Sequence, residues 1–357
     1  MKEKIISIVF VSFISIFFLL NVLIKDIDIS ESERRKLKQL PEFNVKNIMN
    51  NTYMEEFDVY TLDQFPFRNS FRRIKANVNY KIFQRLENNN IYIKDNYIFK
   101  SEYPTNIKSI NRFIDKINNI GTNFTKENNV YYAIIPDKNY YLNDDKYLNI
   151  DYGLLYEMIS KINYEYIELR DVLNLNDYYY TDTHWKQENL SKVVDRLSEK
   201  MNFNNNSSYE QKNIKDFYGV YYGQAALDMK PDTLTYLIND TILNSAVNYL
   251  EDPNNKTVYV ESNLNNLDKY DIFLDGASSY IEIVNPNNNS DRELVIFRDS
   301  FGSSLAPLLI EEYSKITLID IRYINSSNYL SKIKFTNQDI LFLYSTLIVN
   351  NSSSLKE

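Results

Sequence analysis

The chain has no cysteine and a single histidine in 357 residues. The first absence removes disulfide frameworks, iron–sulfur clusters and thiol nucleophiles, and is compatible with a place outside the reducing cytosol. The second leaves too few ligands for zinc, whose sites are built mainly from Cys and His, so neither a metal nor another cofactor is expected. Glycine is also sparse; its six copies are scattered and form no phosphate-cradling loop. Basic residues (40) are outnumbered by acidic ones (48), giving a formal charge of −8. That balance argues against a nucleic-acid partner, which normally demands a basic face to displace counterions. Apolar residues, at 44%, suffice for a proper core in one large domain or two small ones.

Residues 5–24, IISIVFVSFISIFFLLNVLI, are uncharged and mostly apolar. A helix of that length, rising roughly 1.5 Å per residue, crosses roughly 30 Å of hydrocarbon. A transmembrane signal anchor is expected here, with residues 1–4 as a cytoplasmic tail. A cleaved signal peptide would have a shorter apolar stretch and a small-x-small site, and none precedes Lys25, Asp26 and Asp28. Lys2 and Lys4 precede the span while Arg34, Arg35, Lys36 and Lys38 follow it, so charge alone leaves the orientation open. A short tail before a large domain points to a single-pass cell-membrane protein with its domain extracytoplasmic.

Residues 25–100 read as a connector packing on the main domain. A helix is expected over Arg68–Leu86, with Phe71, Ile74, Val78, Ile82 and Phe83 on one face, and a hairpin over Ile91–Phe99 around Lys94, Asp95 and Asn96. From 101 to 357, helical stretches alternate with short apolar runs, which predicts an α/β domain with a parallel sheet flanked by helices. The expected strands are Val130–Ile135, Tyr166–Leu169, Leu294–Phe297, Ile316–Ile319 and Ile340–Leu343; the expected helices include Ile107–Ile120 and Glu188–Met201. Residues 203–290 break the rhythm and read as an inserted loop/β region, with β-like pieces at Thr257–Val260 and Tyr280–Val284.

His184 lies in YYYTDTHW, two residues after Asp182. An imidazole works as a general base when a carboxylate fixes its tautomer and stabilises the imidazolium. The same pattern also arises when an aspartate caps a helix, here one starting near Lys186, beside a packed histidine. The segment ELVIFRDSFGSSLAPLLIEEYSKITLID places Asp299 and Ser300 at the end of an apolar strand that leads into a helix. Such a junction presents a serine at the carboxyl edge of a sheet, with backbone N–H groups nearby for an oxyanion. Serine at this position, or Ser303, also serves as an ordinary helix cap. A serine nucleophile needs a histidine, and this chain offers one already beside a carboxylate.

YYYTDTHW, followed much later by FRDSFGSSLAPLLIEEYSKITLIDIRY, resembles the DHHW family and the related alginate O-acetylation proteins, which carry an SGNH-hydrolase-like domain. SERRKLKQLPEF, LDQFPFRNSFRRIK, VYYAIIPDK and YDIFLDGASSYIEIVNP extend the likeness over roughly residues 30–345. The resemblance implies Ser300 as nucleophile with His184 and Asp182 completing a triad. Thr183 departs from the family's first histidine and matches the D-T-H-W form of the alginate proteins. Gly219 in DFYGVYYG matches a family glycine and is a candidate oxyanion donor or a turn residue. Trp185 is a candidate sugar platform or a core residue, Lys138 a candidate sugar contact or a loop cap. Arg322 is a substrate-binding candidate that also reads as an ion-pair partner of Asp320. By the same resemblance the activity is O-acetylation of a cell-surface or secreted polysaccharide through an acetyl-serine intermediate. A multi-spanning membrane protein would deliver the acetyl group. An acetylesterase on the same triad and a non-catalytic carbohydrate-binding or assembly protein are the rival readings.

Overall fold

The computed structural model describes residues 2–356 apart from 31, 34, 143 and 145. Met1 of the expected tail, Arg34 of the post-span charge cluster and the terminal Glu357 lie outside the described residues. The chain forms two compact units, residues 1–89 with 222–228, and residues 90–221 with 229–357.

In the larger unit a seven-stranded sheet is built from β1 (Asn129–Ile135), β2 (Glu165–Tyr166), β3 (Ala246–Tyr249), β4 (Tyr280–Val284), β5 (Glu293–Arg298), β6 (Lys315–Ile319) and β7 (Asp339–Ser345), in the order β2-β1-β7-β5-β6-β4-β3. The first five in that order run parallel, while β4 is antiparallel to both β6 and β3. Central parallel strands are covered on both faces and so read as continuous apolar runs. In β7 every residue is buried. Alternate side chains enter separate cores: Leu294, Ile296, Leu341 and Leu343 pack with Val193, Val194 and Leu197 of α3 (Ser191–Met201). Val295, Phe297, Ile340 and Phe342 pack with Ile110, Phe113, Ile114 and Ile117 of α1 (Ile107–Gly121) and with Leu155 and Ile159 of α2 (Tyr152–Ile159). The strand period of two thus feeds two layers of helices.

Several elements differ from expectation. The expected strand Tyr166–Leu169 pairs with β1 only at Glu165 and Tyr166. The stretch Glu188–Met201 opens as a 3-10 turn, Gln187–Asn189, before α3. Within 203–290, β3 and β4 complete the main sheet as an antiparallel edge, whereas Glu210–Phe217 and Asp232–Ile238 form a separate ribbon. Thr257–Val260 is no strand; it makes one bridge, Tyr259 to Phe273. The hairpin Ile91–Lys94/Tyr97–Lys100 turns at Asp95 and Asn96 with φ of 49° and 66°. Two left-handed residues in a row suit the right-handed twist of the strands. This hairpin belongs to the larger unit, so the division falls at Asn89–Asn90, ahead of residue 100.

In the smaller unit the segment Lys4–Leu23 of the helix Lys2–Leu23 has a mean hydropathy of 2.7, and is long and apolar enough to be a membrane anchor or a signal sequence. The helices Val45–Met49, Thr52–Asp63 and Arg68–Asn77 follow, the last running into a wider π turn at Val78–Ile82. Ion pairs tie this region together: Arg35 grips Asp63 at 2.8 and 2.5 Å, and Arg68 grips Glu33 at 2.5 and 3.1 Å. On Arg68–Asn77 and the turn after it, Ala76 and Asn79 are buried while Phe71, Ile74, Ile82 and Phe83 are exposed. That reverses the face expected to pack inward.

Candidate active site

β5 ends at Arg298, and the chain turns through Asp299 and Ser300 into a five-residue helix, Phe301–Leu305. The turn is fixed by the buried carboxylate of Asp299, which accepts from the Phe301 N–H at 3.0 Å and from the Ser345 N–H at 2.8 Å. Ser300, at the carboxyl edge of the sheet, is half-buried. Gly302 is required by crowding, since a Cβ there would lie 2.8 Å from Cβ of Arg298.

The histidine arrives from a different part of the chain. His184 Nε2 stands 2.7 Å from Ser300 Oγ, and Nδ1 stands 2.6 Å from Asp182 Oδ1. Asp182 Oδ1 also accepts the backbone N–H of His184 at 3.0 Å, and Oδ2 accepts that of Val220 at 2.8 Å. Asp182 therefore braces the histidine rather than capping a following helix. Burial by itself would raise the Asp182 pKa; the His184 imidazole and the two backbone donors outweigh it and hold the carboxyl below its ordinary range. An ionised Asp182 favours the tautomer with hydrogen on Nδ1, leaving Nε2 to accept from Ser300.

Around this set, Tyr270 stacks on the imidazole with ring centres 3.9 Å apart at 7°, and donates from its hydroxyl to Ser304 Oγ at 2.8 Å. Trp185 is wholly buried, and its indole N–H donates to the Phe301 carbonyl and to Ser304 Oγ at 3.1 and 2.9 Å. It is a core strut between the histidine segment and the serine turn, not a sugar platform.

Lys138 is likewise sealed in, 1% exposed, with its ammonium donating to the carbonyls of Asp182, Tyr179 and Tyr180 at 2.7, 3.1 and 3.3 Å. Burial pushes its pKa down to about 7. It holds the loop carrying Asp182 and His184 and is not placed to meet a sugar. The Gly219 N–H donates to Thr181 Oγ1 at 2.9 Å, so it is committed to the loop and not offered to an oxyanion. Arg322 is engaged with both carboxylate oxygens of buried Asp320, at 2.9 and 2.6 Å, and acts as an ion-pair partner, not a free ligand-binding cation. Asp320 in turn lies 3.8 Å from the buried guanidinium of Arg298, which donates to Ser303 Oγ and the Ser278 carbonyl.

Tyr270, Val220 and Arg298 lie in the segments YDIFLDGASSYIEIVNP, DFYGVYYG and FRDSFGSS, but none of the three stood out as a site residue. Tyr270 sits in a loop-rich stretch, Val220 acts through its backbone, and Arg298 looks like the end of a strand.

A model of the family described as DHHW protein matches residues 96–319. Among solved structures the chain is similar to a DHHW family protein from Eubacterium siraeum, 20% identical, with a TM-score of 0.64 over 76% of this chain and 97% of that one. It is also similar to Bacillus cereus PatB1, solved with a sulfonyl adduct, 14% identical, with a TM-score of 0.59 over 75% of this chain and 100% of that one. A fainter likeness, 11% identical with a TM-score of 0.43, is to the O-acetyltransferase domain of Pseudomonas putida AlgJ, covering 73% of this chain and 92% of that one. No curated protein matches the sequence. At such identities the first two likenesses establish a shared fold.

Proposed function

The chain belongs to the DHHW family, and from that premise we propose that it is a membrane-anchored, serine-type acyl-transfer enzyme that O-acetylates a polysaccharide outside the cytoplasm. One observation carries the chemistry: Ser300 Oγ, His184 and Asp182 form a continuous hydrogen-bonded relay of 2.7 and 2.6 Å. In the first step Ser300 Oγ attacks the acyl carbon of an acetyl ester or thioester while His184 Nε2 takes its proton. The donor's oxygen or sulfur leaves with that proton, and an acetyl-serine remains. In the second step an acceptor hydroxyl gives its proton to His184 and attacks the ester, and the proton returns to Ser300 Oγ.

Asp182 stays anionic and stabilises the transient imidazolium. The backbone N–H groups of Phe301, Gly302 and Ser303 are bonded within the turn. Within this turn the proposed backbone donor for the oxyanion is then the N–H of Ser300.

The helix Lys2–Leu23 supports the anchor. The extracytoplasmic side, the polysaccharide acceptor and a multi-spanning acetyl-delivering partner follow from the family resemblance. The test begins with a sulfonyl fluoride, chosen because PatB1 has been solved with a sulfonyl adduct. Labelling is expected at Ser300 and is lost in Ser300→Ala; labelling elsewhere refutes the assignment. Asp182→Asn should lower the rate roughly 10⁴-fold, because the imidazole then loses its enforced tautomer. With a chromogenic acetyl donor and polysaccharide, acetylated sugar is the expected product. Acetate alone identifies an esterase, and restoration of a deletion strain by both Ser300→Ala and His184→Ala identifies a non-catalytic protein.

A further inference from the structure

The small unit leaves a row of apolar side chains uncovered. Phe67, Phe71, Ile74 and Val78 recur at spacings of four, three and four, one narrow stripe running from the residue before the helix Arg68–Asn77 to the turn after it. Phe67, Phe71 and Ile74 are 60%, 42% and 57% exposed. The opposite face is the one that packs: Ala76 is buried, Arg72 donates to Ser32 Oγ and the Gly223 carbonyl, and Asn79 donates to Asn88.

The stripe is tied to the apolar N-terminal helix. The ring of Phe17 stacks on Phe65 at 5.5 Å and meets Phe71 at 6.0 Å, while Asn21, one turn further along, donates to the Gln64 carbonyl at 3.4 Å. The depth of Phe17 then decides the depth of its partners. The apolar stretch from Ile5 to Ile24 just covers the roughly 30 Å of a bilayer core. Sliding it outward until Phe17 reached the surface would leave Ile5–Phe17, only about 20 Å long, to span the rest. Phe17 therefore lies within the hydrocarbon whenever this helix spans, and Phe65 and Phe71 lie there with it.

We propose that the Phe65–Val78 segment is a second membrane element, a helix lying in the interface of the leaflet on the catalytic domain's side, with the Phe67/Phe71/Ile74/Val78 stripe in the acyl chains. Lipid is the fitting occupant, because the stripe continues the surface of a helix already in lipid. The exposed ammonium groups of Lys75 and Lys81 flank it at headgroup level. The inference rests on the anchor part of the proposed function and is independent of the acyl-transfer chemistry.

The absence of native cysteine makes the test direct. Full-length Phe67→Cys, Ile74→Cys, Val11→Cys and Lys332→Cys proteins are labelled with an environment-sensitive fluorophore and reconstituted in phosphatidylethanolamine/phosphatidylglycerol vesicles. Emission is then read with a lipid bearing a doxyl group on its acyl chain and with aqueous iodide. Labels at 67 and 74 should be blue-shifted, quenched by the doxyl lipid and spared by iodide, as at 11, with 332 showing the reverse. If 11 is quenched by lipid while 67 and 74 are quenched by iodide, the interfacial helix is refuted. If 67 and 74 are spared by both quenchers, protein covers the stripe and the lipid assignment is equally refuted. If 11 itself escapes the doxyl lipid, the anchor reading fails and takes this proposal with it, leaving the triad chemistry untouched.

Discussion

Lys138 shows how a single buried charge is used to hold a loop. Its three carbonyl acceptors lie on Tyr179, Tyr180 and Asp182, so one ammonium restrains the segment that presents both Asp182 and His184. In Lys138→Met those carbonyls lose a donor while the hydrocarbon stem is kept. The triad should drift from its geometry, and kcat should fall roughly tenfold to a hundredfold with KM near that of the wild type. An equal loss in KM would indicate a substrate contact instead.

A pH signature accompanies this role. With its folded-state pKa pushed down to about 7, Lys138 gives up its proton in the native state at a pH where the unfolded chain still holds it. The unfolded state then binds more protons, so this group's contribution makes stability rise with pH from about 7 toward the ordinary lysine range of roughly 10.4. Urea unfolding of wild type and Lys138→Met at about pH 6.5, below that window, and at about pH 9, inside it, should show the wild type gaining on the variant at the higher pH. A constant difference would mean that the amine does not titrate there.

Among elements, the loop 181–184 and the turn 219–220 are fitted to each other without room between them. A Cβ on Gly219 would sit 2.2 Å from Cβ and 2.4 Å from Cα of Asp182, and the latter is backbone that has nowhere to rotate. Gly219→Ala must separate the two segments, breaking the Thr181–Gly219 and Asp182–Val220 hydrogen bonds. A loss of about 1–3 kcal/mol is expected, with a matching fall in activity. Gly153→Ala in α2 meets a single atom, the Asp151 carboxylate oxygen that caps α2 at the Leu154 N–H, at 3.3 Å, and should cost far less. Thermal midpoints of the two variants check the contrast.

These elements also show where sequence was informative. His184, Asp182 and Ser300 stood out as local patterns, a lone histidine beside a carboxylate and a serine after an apolar strand, each also readable as a helix cap, and the family resemblance joined them into one set. Tyr270 was not, because its stacking on His184 is decided by tertiary packing. Likewise the apolar runs of β5, β6 and β7 announce strands, but nothing local in β3 or β4 says that they join the same sheet. The stripe at Phe71 and Ile74 was legible as a period but not in its surroundings, since periodicity marks an apolar face and does not say what covers it.

For the molecule as a whole, the 31 tyrosines matter more than the net charge. Many are core residues: burial holds the hydroxyls of Tyr178, Tyr179, Tyr270 and Tyr344 well above the usual phenol range, and pushes those of Tyr236 and Tyr329 up to about 12. A phenol whose folded pKa is raised contributes stability that is complete below the unfolded value, about 10, and is lost as pH climbs toward the folded one. Each such group adds to the same slope, so the loss should be steep. On raising the pH, near-UV circular dichroism should collapse in one cooperative step above about pH 10, with phenolate absorbance rising in the same step. Acyl transfer should vanish at that step too, because Tyr270 cannot ionise and keep its ring against His184 in a packed site. A smooth phenolate titration with the near-UV signal intact would show that these tyrosines are open to solvent, and would remove the packed wall on which the orientation of His184 depends.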